Sequence, residues 1–288
     1  MKKLIVIILI SVVCNAFYSC APPPIDIKIP EAKHKLAIAS QVIPGEIIAV
    51  SVTKSFSSLT GGGAIDSSII SNVLIPHANV TITVNGGQVI QLYSIVPGIY
   101  ASANVLSTPG TNYELHVRDS ASGMECSSSS VMLPQVLFDT IHPVVVKDSG
   151  DTTVFMDFDI IDPPQTTNYY LVNLYLPKSG SIVDLKSLIG LSSGAGTDNM
   201  ILLSDKEFVN GRYHSRQAIS ANHNAVIAYT LSNISADYYK FLTTWKTSAK
   251  LFNQLTGEPI NFPTNIKGGY GFFTTTNPDI RIFDLSKY

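Results

Sequence analysis

The chain reads as mainly β: an N-terminal immunoglobulin-like β-sandwich followed by a larger C-terminal β domain with one α-helix. Three observations lead there. In the run from Asn79, Val80, Ile82 and Val84 alternate with Thr81, Thr83 and Asn85, the period of a strand with one buried face. Turn pairs separate such runs at near-regular spacing: Pro44-Gly45, Gly86-Gly87, Pro97-Gly98 and Pro109-Gly110. Helical spacing, with a start and a stop, marks a single segment at about 235–253.

The sequence divides into four parts: 1–19, 20–34, 35–134 and 135–288. The first has the order of a bacterial lipoprotein signal. Lys2 and Lys3 precede an apolar run from Leu4 to Val13, and Ser19 stands directly before Cys20. A run of about ten residues is too short to cross a bilayer, which needs about 20, and suits a signal peptide. Cys20 is the candidate lipidation site. A diacylglycerol there would hold a soluble body to a membrane, since two acyl chains anchor stably where one does not. Residues 20–34 hold Pro22, Pro23, Pro24 and Pro30 and read as an extended tether.

The sandwich expected over 35–134 begins with KLAIASQVI and IIAVSVTKSF. Leu59–Asn72, with three glycines and several serines, reads as a long loop. NVTITV and QVIQLYSI flank Gly86-Gly87, a two-residue hairpin signal. IYASANVL and NYELHVRD follow their Pro-Gly pairs, and a turn at Asp119–Gly123 precedes ECSSSSVML. Some seven short strands with turns between them suggest the sandwich.

Pro134 and VLFDTIHP form the junction to the second part. There Val154, Met156, Phe158 and Ile160 would face one way, and Phe155, Asp157 and Asp159 the other. NYYLVNLYLP, Arg212–Ala218 and NAVIAYTL read as strands; Ile182–Leu191 is a strand or a short helix. In the helix, Ser235 is the cap, Asp237 lies at the positive end and Gly257 follows the stop. Tyr238, Leu242, Trp245 and Ala249 make its apolar face, with Phe241 and Phe252 beside it, so the lone tryptophan reads as a packing anchor. Phe272, Phe273, Ile280, Ile282 and Phe283 close the chain in strands. No repeat of fixed period is visible.

Composition narrows the function. The formal charge is −2, and more acidic by two charges once Lys2 and Lys3 leave. With no basic patch, nucleic acid is not an expected partner. Charged residues are 14% of the chain, so Ser, Thr, Asn and Gly carry the polar surface, which suits contact with carbohydrate or protein. Of three cysteines, Cys14 leaves with the signal and Cys20 takes lipid, leaving Cys126 as a buried, inert thiol.

Catalytic and metal patterns are thin. Gly190-Leu191-Ser192-Ser193-Gly194 matches a nucleophile elbow, but that motif needs a strand before it and a helix after it. GAGTDN follows instead, in a chain that reads as β. Asp157, Asp159 and Asp162 could share a calcium ion, yet a solvated strand face ending in Asp162-Pro163-Pro164 explains them more simply. The six histidines lack HxH or HxxxH spacing; His214 and His223 could meet across a hairpin, without a third zinc ligand. Gly61-Gly62-Gly63 lacks the Lys and Ser or Thr of a phosphate loop. The pairs Tyr169-Tyr170 and Tyr238-Tyr239 suit either a binding surface or strand edges. No catalytic residue, cofactor or metal is assigned, and the chain is not expected to be an enzyme.

Taken in order, IDIKIPEAKHKLAIASQVIPGE, NVTITVNGG, PGIYAS, PGTNYELHV, DPPQTTNYYLV, LSNISADYYKFL and EPINFPTNIKGGYGFF are similar to the domain-of-unknown-function 4249 family of Bacteroidota lipoproteins. The last run carries most of the resemblance, with Thr264-Asn265 where the family has Ser-Asn. The resemblance implies an outer-membrane lipoprotein, often encoded beside TonB-dependent receptors. The expected function is thus a lipid-anchored, non-enzymatic accessory or binding partner of such a receptor in nutrient uptake, with its ligand and its face of the membrane open. The alternatives are a surface hydrolase, built on Ser192 or on a carboxylate pair, and a structural adhesin or scaffold. Asn265, Gly268, Gly269, Tyr270 and Gly271 form the candidate partner or ligand loop. A tight strand entry, with the glycines giving the backbone freedom to approach another segment, is the simpler account of the same residues.

Overall fold

The computed structural model describes residues 33–43, 47–55, 72–103, 108–148, 151–163, 166–175, 200–221, 224–251 and 261–288. The lipoprotein signal with Cys20, the tether up to residue 32, Gly61-Gly62-Gly63, Ser192 and His223 lie outside the described residues.

Among the described residues seven strands build the first sandwich: β1 (Leu36–Ile43), β2 (Ile47–Lys54), β3 (Ala78–Val84), β4 (Gln88–Val96), β5 (Ile99–Ser102), β6 (Asn112–Asp119) and β7 (Glu125–Val131). β2 lies between β1 and β5 in one layer, and β6 between β3 and β7 in the other. β4 pairs with β3 as far as Leu92 and from Tyr93 on with β5, where the register shifts between Ser94 and Val96. One strand thereby serves both layers, the usual effect of a bulge on strand direction. The alternation dictates what fills the space between. Leu36, Ile38, Val50, Val52, Val80, Ile82, Leu92, Leu115 and Val117 are buried, with Cys126 among them. Tyr100 is buried with its hydroxyl paired, accepting from the Ala78 N–H at 2.7 Å and donating to the Ile75 carbonyl at 2.8 Å. The hairpin between β3 and β4 has three loop residues rather than two. Asn85 and Gly86 take positive φ (47° and 68°), and the Gly87 N–H closes the turn on the Val84 carbonyl.

The second part is a sandwich of the same plan. β8 (Phe138–Asp148), β9 (Asp151–Ile161) and β12 (Arg212–Ile219) form one layer in the order β12-β9-β8. β10 (Tyr169–Tyr175), β11 (Met200–Ser204), β13 (Val226–Ile234) and β15 (Asp279–Asp284) form the other, in the order β11-β10-β13-β15. Taken in chain order, β8-β9-β12 repeats β1-β2-β5, and β11-β10-β13-β15 repeats β4-β3-β6-β7. The chain is therefore two sandwiches of immunoglobulin type. The repeat lies in the pairing order and not in residue spacing, because the connecting segments differ in length. As the alternation in β9 predicts, Val154, Met156, Phe158 and Ile160 are buried, packed with Tyr170, Val172, Tyr229 and Leu231 of the facing layer.

The connection from β13 to β15 is long and, among the described residues, holds two elements. The first is helix α1 (Ala236–Leu251), inside the predicted span. Its cap is Ser235, whose hydroxyl accepts from the Tyr238 N–H at 3.2 Å. α1 packs on β10 and β11 through Leu242, Tyr238, Tyr239 and Phe241, against Leu171, Met200 and Ile234. Lys246 donates to the Met200 carbonyl at 2.7 Å. Trp245, expected as an anchor, has 37% of its surface exposed.

The second element is β14 (Gly269–Phe272), which leaves its own sandwich and pairs in parallel with β1 of the first, Leu36 opposite Gly269 and Ala39 opposite Phe272. The segment thus crosses the boundary drawn at residue 134. Around it, Tyr238 and Phe241 of α1 stand 5.0 and 5.3 Å from Phe272, ring centre to ring centre. His34–Tyr288 form one compact unit. Among the described residues no helix is long and apolar enough to cross a membrane.

Candidate functional site

The five residues of the candidate loop occupy a seam in the first sandwich. The seam lies between β7 and β1, the two edge strands of that sandwich. On one side, Ser127 of β7 and Lys267 exchange both main-chain hydrogen bonds, at 3.0 and 2.8 Å. The hydroxyl of Ser128 donates to the Asn265 carbonyl at 2.9 Å, and that of Ser130 accepts from the Thr275 N–H at 3.0 Å. On the other side β14 pairs with β1, and the Ser40 hydroxyl accepts from the Thr274 N–H at 2.9 Å. The segment covers both open edges, whose unpaired N–H and C=O groups would otherwise be free to pair with another chain.

Each residue of the former loop has a place in this seam. Asn265 braces the main chain of Phe273. Gly268, at φ 81°, turns the chain against the Glu125 carbonyl, and a Cβ on Gly269 would stand 2.6 Å from the Leu36 carbonyl oxygen. Gly271 has φ 94° and comes so close to Ile38 that a Cβ would sit 1.9 Å from its carbonyl oxygen. Four of the five pack against backbone. Tyr270 is the exception, 48% exposed, with the Lys35 ammonium 5.2 Å from its ring centre.

The same seam walls a cavity of about 310 Å3 on the outer face of the β3-β6-β7 layer. Its floor is set by register. Asn79 of β3 lies opposite Arg118 of β6, which lies opposite Glu125 of β7; one row along, Thr81 lies opposite His116 and His116 opposite Ser127. Lys267 closes the side through its bridge to Ser127. These residues are outward because their neighbours Val80, Val117 and Cys126 are inward, as strand alternation requires. Arg118 and Glu125 form an ion pair at 3.2 Å, both well exposed. Lys267 has no carboxylate partner among the described residues. Cys126 also borders the cavity but is packed in the core, and burial pushes its thiol up to about 11, far from a reactive thiolate. The arrangement offers hydrogen-bond donors and acceptors with one unmatched positive charge. That suits holding a polar ligand.

Sequence reading singled out Asn265 and its glycines but not this cavity. The polar alternation of β3, β6 and β7 was visible; which polar residues would stand side by side depends on register between distant strands.

The acidic group is placed on the outer face of β9 and beyond. Asp159 accepts from the Thr140 hydroxyl at 2.7 Å and faces His214 at 3.1 Å and Arg212 at 3.6 Å. Asp157 faces Arg216 at 3.5 Å, and Asp162 accepts from the Tyr170 hydroxyl. Arginines stand where a shared calcium ion would need open carboxylates, and among the described residues no group of three or more His, Cys, Asp or Glu could hold a metal. His214 turns to Asp159. Of the tyrosine pairs, Tyr170 is fully buried and Tyr169 packs on Tyr239 with ring centres 4.8 Å apart.

A family model described as Domain of unknown function (DUF4249) matches residues 23–281. No curated protein matches the chain. Among solved structures, a two fibronectin type-III domain segment from chicken tenascin is similar over 70% of this chain and 91% of its own length, at 7% identity. Its TM-score of 0.21 is too low to carry any argument, so the fold rests on the strand pairing itself.

Proposed function

The chain belongs to the DUF4249 family, and on that premise we propose that it is a lipid-anchored outer-membrane protein acting as a non-enzymatic binding partner of a TonB-dependent receptor in nutrient uptake. The signal around Cys20 supports the anchor: lysines, a short apolar run, a small residue and a cysteine, followed by a proline-rich tether. The observation that carries the binding role is the polar cavity at the seam. Its floor is on paired strands, and a rigid floor suits recognition because little ordering is required when a ligand arrives. The second sandwich, joined to the first through β14, supplies a further surface for a receptor.

The test is purification of the full protein, lipid intact, from gently solubilised outer membranes, with mass spectrometry of what accompanies it. A TonB-dependent receptor at near-equal amount is the expected result. Repeated recovery of the protein alone overturns the receptor partnership.

A further inference from the structure

We propose that the cavity between β3, β6, β7 and Lys267 binds a sugar acid, a saccharide unit carrying a carboxylate. This deepens the binding role just given and rests on it, though not on the receptor.

Size comes first. About 310 Å3 is at the low end of small-molecule sites, which run from about 300 to 1,000 Å3. The cavity therefore takes a unit of one or two rings rather than a long peptide or a lipid. Chemistry comes next. Beside Lys267, the polar side chains of the lining are an amide (Asn79), two hydroxyls (Thr81 and Ser127), an imidazole (His116) and the Arg118–Glu125 pair. An apolar ligand would strip water from these groups and give nothing back, which is costly. A ligand with a hydroxyl on nearly every carbon can meet donors and acceptors together. The Arg118–Glu125 pair suits this, offering a donor and an acceptor side by side to neighbouring hydroxyls.

Charge selects within that class. Arg118 is matched by Glu125, whereas Lys267 stands at the wall with no carboxylate partner among the described residues. A carboxylate on the ligand supplies the missing charge, and a charge-assisted hydrogen bond is the stronger kind. Tyr93 borders the same face. It follows Leu92, the partner of Val80, on the side away from the core, and it is 69% exposed. An open aromatic ring there can take the apolar face of a second sugar ring.

The full-length protein in detergent is titrated calorimetrically with galacturonate, glucuronate and N-acetylneuraminate. Each uronate is compared with its methyl ester, which keeps the ring and removes the charge. At least one acid is expected to bind, its ester at least tenfold more weakly. Lys267→Ala should reduce affinity for the acid about tenfold and leave the ester unchanged, while Lys267→Arg restores the acid. Thr81→Val, on the floor, should weaken acid and ester alike. Thermal unfolding of each variant checks that the sandwich is intact. Failure of all three acids overturns the proposal. So does acetate binding as tightly as the sugar, or equal affinity for acid and ester. A receptor recovered with a protein that binds none of the acids would sink this inference alone, leaving the receptor partnership standing.

Discussion

Asn265 holds Phe273 by both main-chain groups. Its side-chain oxygen accepts from the Phe273 N–H at 2.9 Å and its amide nitrogen donates to the Phe273 carbonyl at 2.7 Å. The side chain acts as a short strand partner at the point where β14 ends. Asn265→Ala removes both bonds and leaves two partly buried main-chain groups unpaired, a loss of about 2 kcal/mol. Asn265→Asp keeps the acceptor and loses the donor, so it should fall between wild type and Ala. Urea unfolding midpoints of the three proteins check the order.

Gly271 and Gly86 separate two reasons for a glycine. Both have positive φ, 94° and 68°. Around Gly86 nothing lies within 4 Å of an added Cβ, whereas at Gly271 it would strike the Ile38 carbonyl oxygen. Gly86→Ala should cost about 1 kcal/mol, the conformational part alone. Gly271→Ala also forces β14 away from β1 and should cost more than about 3 kcal/mol. Thermal melting of the pair decides; equal losses would mean that β14 yields easily.

Phe272 ties the sandwiches together, buried in β14 beneath Tyr238 and Phe241 of α1. Phe272→Ala should destabilise by about 3 kcal/mol or more, as for other large core truncations. It also removes the shared packing between the helix and the first sandwich. Calorimetry should therefore show one unfolding transition in the wild type and a broadened or divided one in the variant.

Acid should weaken the fold through two carboxylates. Asp159 lies below its ordinary value of 3.8, first because the Thr140 hydroxyl donates to it; burial opposes this, and His214 and Arg212 add to it. At Asp119 burial raises the pKa, but the Ser122 hydroxyl, the N–H groups of Ala121 and Ser122, and Lys54 together bring it below 3.8. A carboxyl depressed in the folded state binds fewer protons folded than unfolded. Its contribution is present above the unfolded value and lost as pH falls through the folded one. Stability should be level above about pH 5 and decline steadily below about pH 4. Asp159→Asn should flatten part of that decline in urea midpoints measured against pH.

Cys126 should resist alkylation while the protein is folded. It is 6% exposed, and burial holds its thiol at about 11, so thiolate is scarce at neutral pH. Peptide mapping after iodoacetamide at pH 8 should find Cys126 unmodified in the native protein and modified in denaturant. Rapid native labelling would mean that β7 opens at the seam.

Reading the sequence recovered what is local. The alternation in Val80–Ile82 and in Val154–Ile160 fixes which face of each strand is buried, because a strand's side chains change sides at every residue. Ser235 and Asp237 mark the helix start through groups within one turn of each other. The run around Asn265–Phe273 showed by its glycines that backbone would approach backbone, but not which backbone. That β14 lies along β1, more than 200 residues earlier in the chain, and that Asn79, His116, Ser127 and Lys267 gather around one cavity, is decided by strand pairing and register. A shift of one residue would have turned every one of those side chains to the other face. Trp245 shows the same limit on a helix: periodicity gave a stripe, and only contact with β10 and β11 decides how much of it is covered. The two-fold repeat of the sandwich likewise lies in pairing between distant segments, which the order of residues along the chain does not display.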